Sequence, residues 1–225
     1  MRAIGVTGVG FCIIVAAISG ASLVAAAMRT IAPSMPPAEL SAIALIAMQA
    51  ATVLATLFVA RSWGPLRQTL ATVPPRATLN VWLGLVAIVA AMIAISLLLA
   101  TVVFPRDFAR DAATFVPMLR SDAATFAIIA VVIGAPFAEE LLFRGLLFGA
   151  LLRSGVSLIA TLLLTNAMWT ALHAGYSFVG LTEVFMAGLI LSVARVVTGS
   201  VWPAISIHMF YNAIALSLIL SKGWV

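Results

Sequence analysis

Ala127 to Leu152, AIIAVVIGAPFAEELLFRGLLFGALL, is a nearly unbroken apolar run that still holds Glu139, Glu140 and Arg144. An apolar run this long reads as a helix crossing about 30 Å of hydrocarbon, which takes ~20 residues. Each charge near the bilayer centre costs roughly 2.5 to 3.5 kcal/mol on insertion scales, so three of them so close together need a compensating reason. Chemistry is the reason that fits.

Working outward, the whole chain shares this character. Its 225 residues are 64% hydrophobic and only 8% charged, with a mean hydropathy of +1.22. Too few polar residues are present to cover a water-facing surface, which excludes a soluble globule. Seven apolar segments run from about 4 to 28, 40 to 60, 80 to 103, 123 to 143 (apolar on to Leu152), 156 to 174, 178 to 198 and 201 to 221. They are too long and too uniformly apolar for barrel strands, and only helices or closed barrels satisfy their backbone in lipid. The expectation is an all-α, polytopic transmembrane bundle of about seven spans, with its active site inside the membrane.

The formal charge of +5 does not point to nucleic acid, because the basic residues are scattered at the ends of apolar runs and form no stripe. They report topology instead. Arg61, Arg67 and Arg76 share one short loop and Arg2 precedes the first span, so the positive-inside rule places the N-terminus and that loop in the cytoplasm. The loop after the third span is then outside; its Arg106, Asp107, Arg110, Asp111 and Arg120 nearly cancel. Phe104, Phe108 and Phe115 suggest a short helix lying in the interface there.

Cys12 is the only cysteine, which excludes a disulfide framework and a cysteine metal site. The first 27 residues have the outline of a secretory signal, but a first membrane span looks much the same and is the reading adopted. No repeat or linker divides the chain, so residues 1–225 read as a single transmembrane domain, with residues 1–120 of unassigned role. All the intramembrane ionisable residues fall in the second half.

Helical phase sorts the charged cluster. Glu140 and Arg144 are four apart in the favourable order and pair on one face. Glu139 is rotated by about 100° and stays unpaired, free to face a cavity as a general base. Pro136 lacks a backbone donor and kinks the helix just upstream. The only histidines, His173 and His208, lie in later apolar segments, with Trp169 four before the first and Asn212 four after the second. Each of these has a bland reading alone: intramembrane His and Asn often serve as interhelical glue, a Glu–Arg pair is often structural, and Trp169 is read as packing beside the site. Gly145 and Gly149 read as close helix packing, Glu183 as interfacial, and Arg195 as snorkelling to a membrane surface. Their joint occurrence, with almost no other polar residue in the membrane, favours function.

Glu139-Glu140-x-x-x-Arg144, then Trp169-x-x-x-His173, then His208-x-x-x-Asn212, the last preceded by the Thr198-Gly199-Ser200 turn, resembles the three-motif signature of the CAAX prenyl endopeptidase and bacteriocin-processing (CPBP, or Abi) family of intramembrane proteases. The resemblance covers about residues 120 to 220, so 121–221 would be the catalytic core. The family often has Phe at the position of Trp169. The resemblance implies an intramembrane endopeptidase in which Glu139 acts as general base on a water and His173 helps orient that water. It also implies that His208 with Asn212 stabilises the oxyanion, and that Glu140 and Arg144 are structural or assist.

The same family is described both as metalloproteases and as metal-independent glutamate proteases. If zinc were used, Glu139, His173 and His208 would be its ligands, as three protein ligands plus water is the catalytic zinc pattern. The absence of an HExxH helix favours the metal-free version with no required cofactor. The implied partners are the lipid bilayer and a membrane-associated peptide or protein, cut near the cytoplasmic surface. The Ala- and Arg-rich, Lys-poor composition suggests a bacterial plasma (inner) membrane. A non-catalytic immunity or binding protein is the competing reading; a proton-coupled transporter is disfavoured because no inverted repeat is apparent. Hydropathy leaves one tension: His208 lies seven residues into its span, while His173 falls near the opposite end of its own.

Overall fold

A computed structural model describes residues 3–221, and all the regular structure within them is helical. Six helices are long and apolar enough to cross a membrane: α1 (Ala3–Ile31), α2 (Pro37–Trp63), α3 (Leu79–Val103), α4 (Ala124–Arg153), α6 (Phe178–Thr198) and α7 (Trp202–Ser221). The expected fifth span is shorter, α5 (Leu158–Ala171). Its 14 residues rise about 21 Å at 1.5 Å each, short of a full crossing. The fold is an all-α polytopic membrane bundle, as the hydropathy pattern indicates. Arg2, one cation of the topology reading, lies outside the described residues.

The ends of the helices are written in the sequence. Pro37 opens α2, where its missing N–H leaves no helical bond unmade. Ser157 and Ser177 cap α5 and α6, their side chains accepting from the backbone N–H of Ala160 and Gly180. Gly199 ends α6 with φ +67°, the left-handed conformation that glycine adopts freely. Apolar side chains such as Leu54, Phe58, Leu83, Val86 and Phe126 stand exposed on the outer faces of the helices, as lipid-facing residues should.

α4 is the axis of the bundle. Leu141, Leu142, Phe143, Arg144, Leu146, Leu147, Phe148 and Leu151 are all buried, together with the small residues between them. α1 and α2 pack on one side of it and α5, α6 and α7 on the other. Gly145 and Gly149 do mark close packing, against the segment between α2 and α3, where Leu66–Thr69 forms a single helical turn. A Cβ at Gly145 would lie 3.1 Å from the Leu70 carbonyl oxygen, and one at Gly149 would lie 3.6 Å from that of Thr69.

That segment, residues 64–78 between α2 and α3, folds under the bundle. Val201 N–H donates to Ala71 O at 3.0 Å, Arg76 N–H to Thr198 O at 2.9 Å, and Ser200 Oγ–H to Val73 O at 2.6 Å. The turn between α6 and α7 is thereby sealed, with Ser200 and Val201 fully buried. At the opposite end of the bundle, residues 104–123 form two short helices, Pro105–Ala112 and Val116–Leu119. The short helix expected from the spacing of Phe104, Phe108 and Phe115 is present as Pro105–Ala112, but Phe108 and Phe115 do not face away from the bundle. They turn inward and line the internal cavity.

α4 departs from regular winding at 130–134 and 141–147, where it widens to i→i+5 bonding. In the first segment Ala135 N–H bonds Ala130 O. The next donor in that register would be residue 136, which is proline, so Val131 O has no partner from its own helix. Asn212 Nδ2–H supplies one at 2.9 Å, and Gln49 Nε2–H donates to Ala130 O at 3.0 Å. In the second segment Arg195 Nε–H donates to Arg144 O at 3.2 Å, so Arg195 turns inward and does not snorkel to the surface.

Candidate active site

The motif residues meet at a cavity of about 560 Å³ lined by Glu139, Trp169, His173, His208 and Asn212 from α4, α5, the turn after α5, and α7. The depth problem posed by hydropathy disappears for two reasons. α5 stops at Ala171, and the turn that follows carries His173 while still within the bundle, with Leu172 and His173 N–H bonding back to Trp169 O and Thr170 O. α7 starts already inside, because the turn before it is buried under residues 64–78, which sets His208 deeper than a count from a membrane surface suggests.

Glu140 and Arg144 pair as their spacing predicts, Arg144 Nη1 lying 3.0 Å from Glu140 Oε1 with both side chains fully buried. A buried guanidinium must fill its remaining donors, and Arg144 does: Nη2 donates to Gly188 O at 2.9 Å and lies 3.5 Å from Asn166 Oδ1, while Nε donates to Ser192 Oγ at 3.3 Å. The same Glu140 Oε1 accepts from His208 Nδ1 at 3.0 Å. The ion pair therefore ties α4 to α6 and α7 and fixes the ring of His208, leaving Nε2 as its free nitrogen. Glu140 Oε2 is buried with no protein partner.

Glu139 is not left unpaired. Trp169 Nε1–H donates to its Oε2 at 2.6 Å, and the same indole lies beneath the Arg144 guanidinium, 4.6 Å from Cζ to the ring centre. Both histidines pack edge-on to that indole, His173 at 5.2 Å and His208 at 5.5 Å between ring centres. Trp169 is therefore the hub of the cluster and not packing beside it. The only sequence signal for this was its position four residues before His173. Gly188 matters for the same reason: a Cβ there would fall on the Asn166 amide and within 2.7 Å of the Trp169 ring.

His173 Nδ1 faces Trp169 O at 3.2 Å, so the neutral ring that donates there keeps an acceptor lone pair on Nε2. Asn212 lines the cavity, but one amide hydrogen is given to Val131 O and only the other is left for a ligand.

Further along the cavity lies a second set of polar groups that sequence reasoning did not bring together. Glu183 lines the cavity and accepts from the Tyr211 hydroxyl, which is also 3.4 Å from Ser96 Oγ. Asp111, from the 104–123 loop, accepts from Ser177 N–H at 2.8 Å and Ser177 Oγ–H at 2.7 Å, pinning the start of α6. Burial, then the nearby carboxylates Glu139, Asp111 and Glu183, push the Tyr176 hydroxyl far above its ordinary range, so it remains a donor. Phase on a single helix cannot show that these residues, from distant segments, share one cavity.

Glu139, His173 and His208, the alternative zinc set, line the same cavity. Among the described residues no three His, Cys, Asp or Glu side chains are grouped so that they could hold a metal ion. Trp169 occupies one Glu139 oxygen and Glu140 occupies His208 Nδ1, which leaves Glu139 Oε1 and His208 Nε2 open toward the cavity.

No curated protein and no solved structure matches the chain. Residues 121–214 do match a family model, described as Rce1-like, type II CAAX prenyl endopeptidase, and that span takes in all three motifs and every side chain of the cluster around Trp169. That match covers under half of the chain; with the motif order it makes residues 121–214 similar to the Rce1-like CAAX proteases and supports an intramembrane endopeptidase in general.

Proposed function

We propose that the protein is a glutamate-type intramembrane endopeptidase in which Glu139, His173, His208 and Asn212 carry the reaction. The observation that carries this reading is the convergence of those four side chains on one largely apolar cavity, three of them, Glu139, His173 and His208, packed around Trp169. In the proposed step, Glu139 takes a proton from a water oriented by His173 Nε2, and the water oxygen bonds to the scissile carbonyl carbon. The carbonyl oxygen becomes an oxyanion facing the free amide hydrogen of Asn212 and His208, whose ring in this step is the imidazolium, with Nδ1–H on Glu140 and Nε2–H on the oxyanion. The tetrahedral intermediate then collapses, the C–N bond breaks, and Glu139 returns its proton to the leaving amine. General base catalysis typically supplies about 10² to 10⁴-fold, and preorganised oxyanion donors in a dry cavity about 10² to 10³-fold each. Glu140 and Arg144 position His208 and do not touch the substrate.

The wider setting belongs to the same proposal: a bacterial plasma membrane with the N-terminus in the cytoplasm, and relatives among the Abi proteins. The test is processing of a membrane peptide by purified protein in liposomes. Glu139→Gln and His173→Ala should each abolish it without loss of folded protein; equal processing by wild type and both variants would overturn the reading. Should an immunity phenotype survive both changes, a sequestering role would replace it.

A further inference from the structure

A peptide that enters this cavity leaves behind the water bonded to its backbone, and a carbonyl left without a donor is costly in an apolar space. Most of the polar groups that line the cavity away from the reacting centre are already committed to the protein. Asp111 takes Ser177 N–H and Oγ–H on its two oxygens, and the Tyr211 hydroxyl bonds Glu183 and faces Ser96. Gln49 gives an amide hydrogen to Ala130 O, and Thr52 gives its hydroxyl to Met48 O. Tyr176 differs. It lines the same cavity and is partly buried, yet among the described residues its hydroxyl bonds to no protein atom and is not sealed in the core.

The place of Tyr176 is fixed from both sides. Its N–H bonds His173 O at 2.9 Å, and the next residue, Ser177, is held by Asp111 through two bonds while it caps α6. Gly180 makes room for this arrangement: a Cβ there would fall on the Asp111 carboxylate and lie 3.3 Å from Tyr176 Cβ. The Tyr176 ring packs edge-on to His173 with 5.4 Å between centres, so its hydroxyl belongs to the same braced turn as the proposed water-orienting residue. Burial, with carboxylates and no cation acting on it, keeps the proton on that oxygen, which is therefore a donor at any working pH.

We propose that Tyr176 is a further substrate-contacting residue, a role that rests on the protease reading: its hydroxyl donates to a backbone carbonyl of the bound peptide one or two residues from the scissile bond. An extended peptide advances about 3.3 Å per residue, so a group at ring-to-ring distance from His173 meets the chain that far from the cut. The bond forms when the peptide docks and persists through the tetrahedral intermediate, so it acts on binding and not on the chemical step. It reads the backbone whatever the side chains are. A helical segment has its carbonyls spent on its own turns and gains nothing from the donor, so the contact selects a segment that is extended where it is cut.

The test uses the full chain in liposomes and the membrane peptide it processes there, made also as analogues in which each amide flanking the scissile bond is replaced, one at a time, by an (E)-alkene unit that keeps the shape and lacks the carbonyl. Tyr176→Phe keeps the ring against His173 and removes only the oxygen. Its KM should rise about 5- to 100-fold, with kcat and thermal unfolding near wild type. One alkene analogue should raise the wild-type KM by a similar factor and that of Tyr176→Phe by clearly less, because the bond is already gone. An unchanged KM in Tyr176→Phe overturns the proposal; so does a fall in kcat alone, which means that the hydroxyl acts through His173. Equal losses in both proteins with every analogue overturn it as well. If Glu139→Gln processes the peptide like wild type, the protease reading fails and this proposal with it; if Glu139→Gln is inactive while Tyr176→Phe keeps the wild-type KM, only this proposal fails.

Discussion

Trp169 gives its indole N–H to the Glu139 carboxylate at 2.6 Å while its ring face lies under the guanidinium of Arg144, so one side chain joins the proposed base to the buried ion pair. Trp169→Phe keeps the ring and removes only the donor. A hydrogen bond to a charged group is worth about 1.5 to 3 kcal/mol, which corresponds to roughly a 10 to 100-fold fall in kcat. KM should change little and thermal stability should fall modestly; unchanged kcat in a liposome assay would show that Glu139 is oriented by something else.

The Glu140–Arg144–His208 set should behave as a unit. Removing one member leaves a buried charge without its partner, at a cost of about 3 to 5 kcal/mol. Arg144→Met is therefore expected to reduce the yield of folded protein and its melting temperature in detergent, whereas Glu139→Gln should leave both near wild type. The contrast separates the scaffold carboxylate from the reactive one, although they are adjacent in sequence.

Asn212 has two tasks, and Pro136 creates one of them. Pro136→Ala adds a backbone N–H that can reach Val131 O, freeing the Asn212 amide from that duty. In stability, Asn212→Ala should cost about 1 kcal/mol in the Pro136 protein and clearly less beside Pro136→Ala, a coupling readable in a double-mutant cycle. In activity, Asn212→Ala should be harmful in both backgrounds if the second amide hydrogen serves the oxyanion.

Gly188→Ala places a methyl group where the Trp169 ring and the Asn166 amide now sit. Overpacking of this kind typically costs about 1 to 3 kcal/mol, and the displaced indole would let go of Glu139. Activity should fall more than stability, as seen by comparing peptide turnover with thermal unfolding of the same preparation.

The metal-free mechanism predicts that turnover survives exhaustive dialysis against a chelator. A loss restored by zinc would reassign Glu139, His173 and His208.

Hydropathy located the spans to within a few residues because the cost of exposing backbone to lipid leaves few alternatives. Motif spacing likewise exposed the Glu140–Arg144 pair, which depends only on helical phase. What stayed hidden was contact between segments far apart in the chain. Glu139 looked free because Trp169 is thirty residues away in sequence, and Glu183, Arg195, Phe108 and Phe115 looked superficial because their helix positions sit near membrane boundaries. The short α5 was read as a full span because the turn after it is also apolar; composition alone does not mark where a helix stops inside a protein-lined space.

The burial of Leu70 and Thr69 against Gly145 and Gly149 has a consequence for how the molecule is divided. The stretch that bears every proposed reactive group is not portable. Expressed without the first hundred or so residues, it would lose the plug beneath α4 and the Gln49 amide that steadies its widened turn, and would expose glycine-lined grooves to lipid. The amino-terminal helices, which match no motif, are thus the mould in which the chemistry is cast.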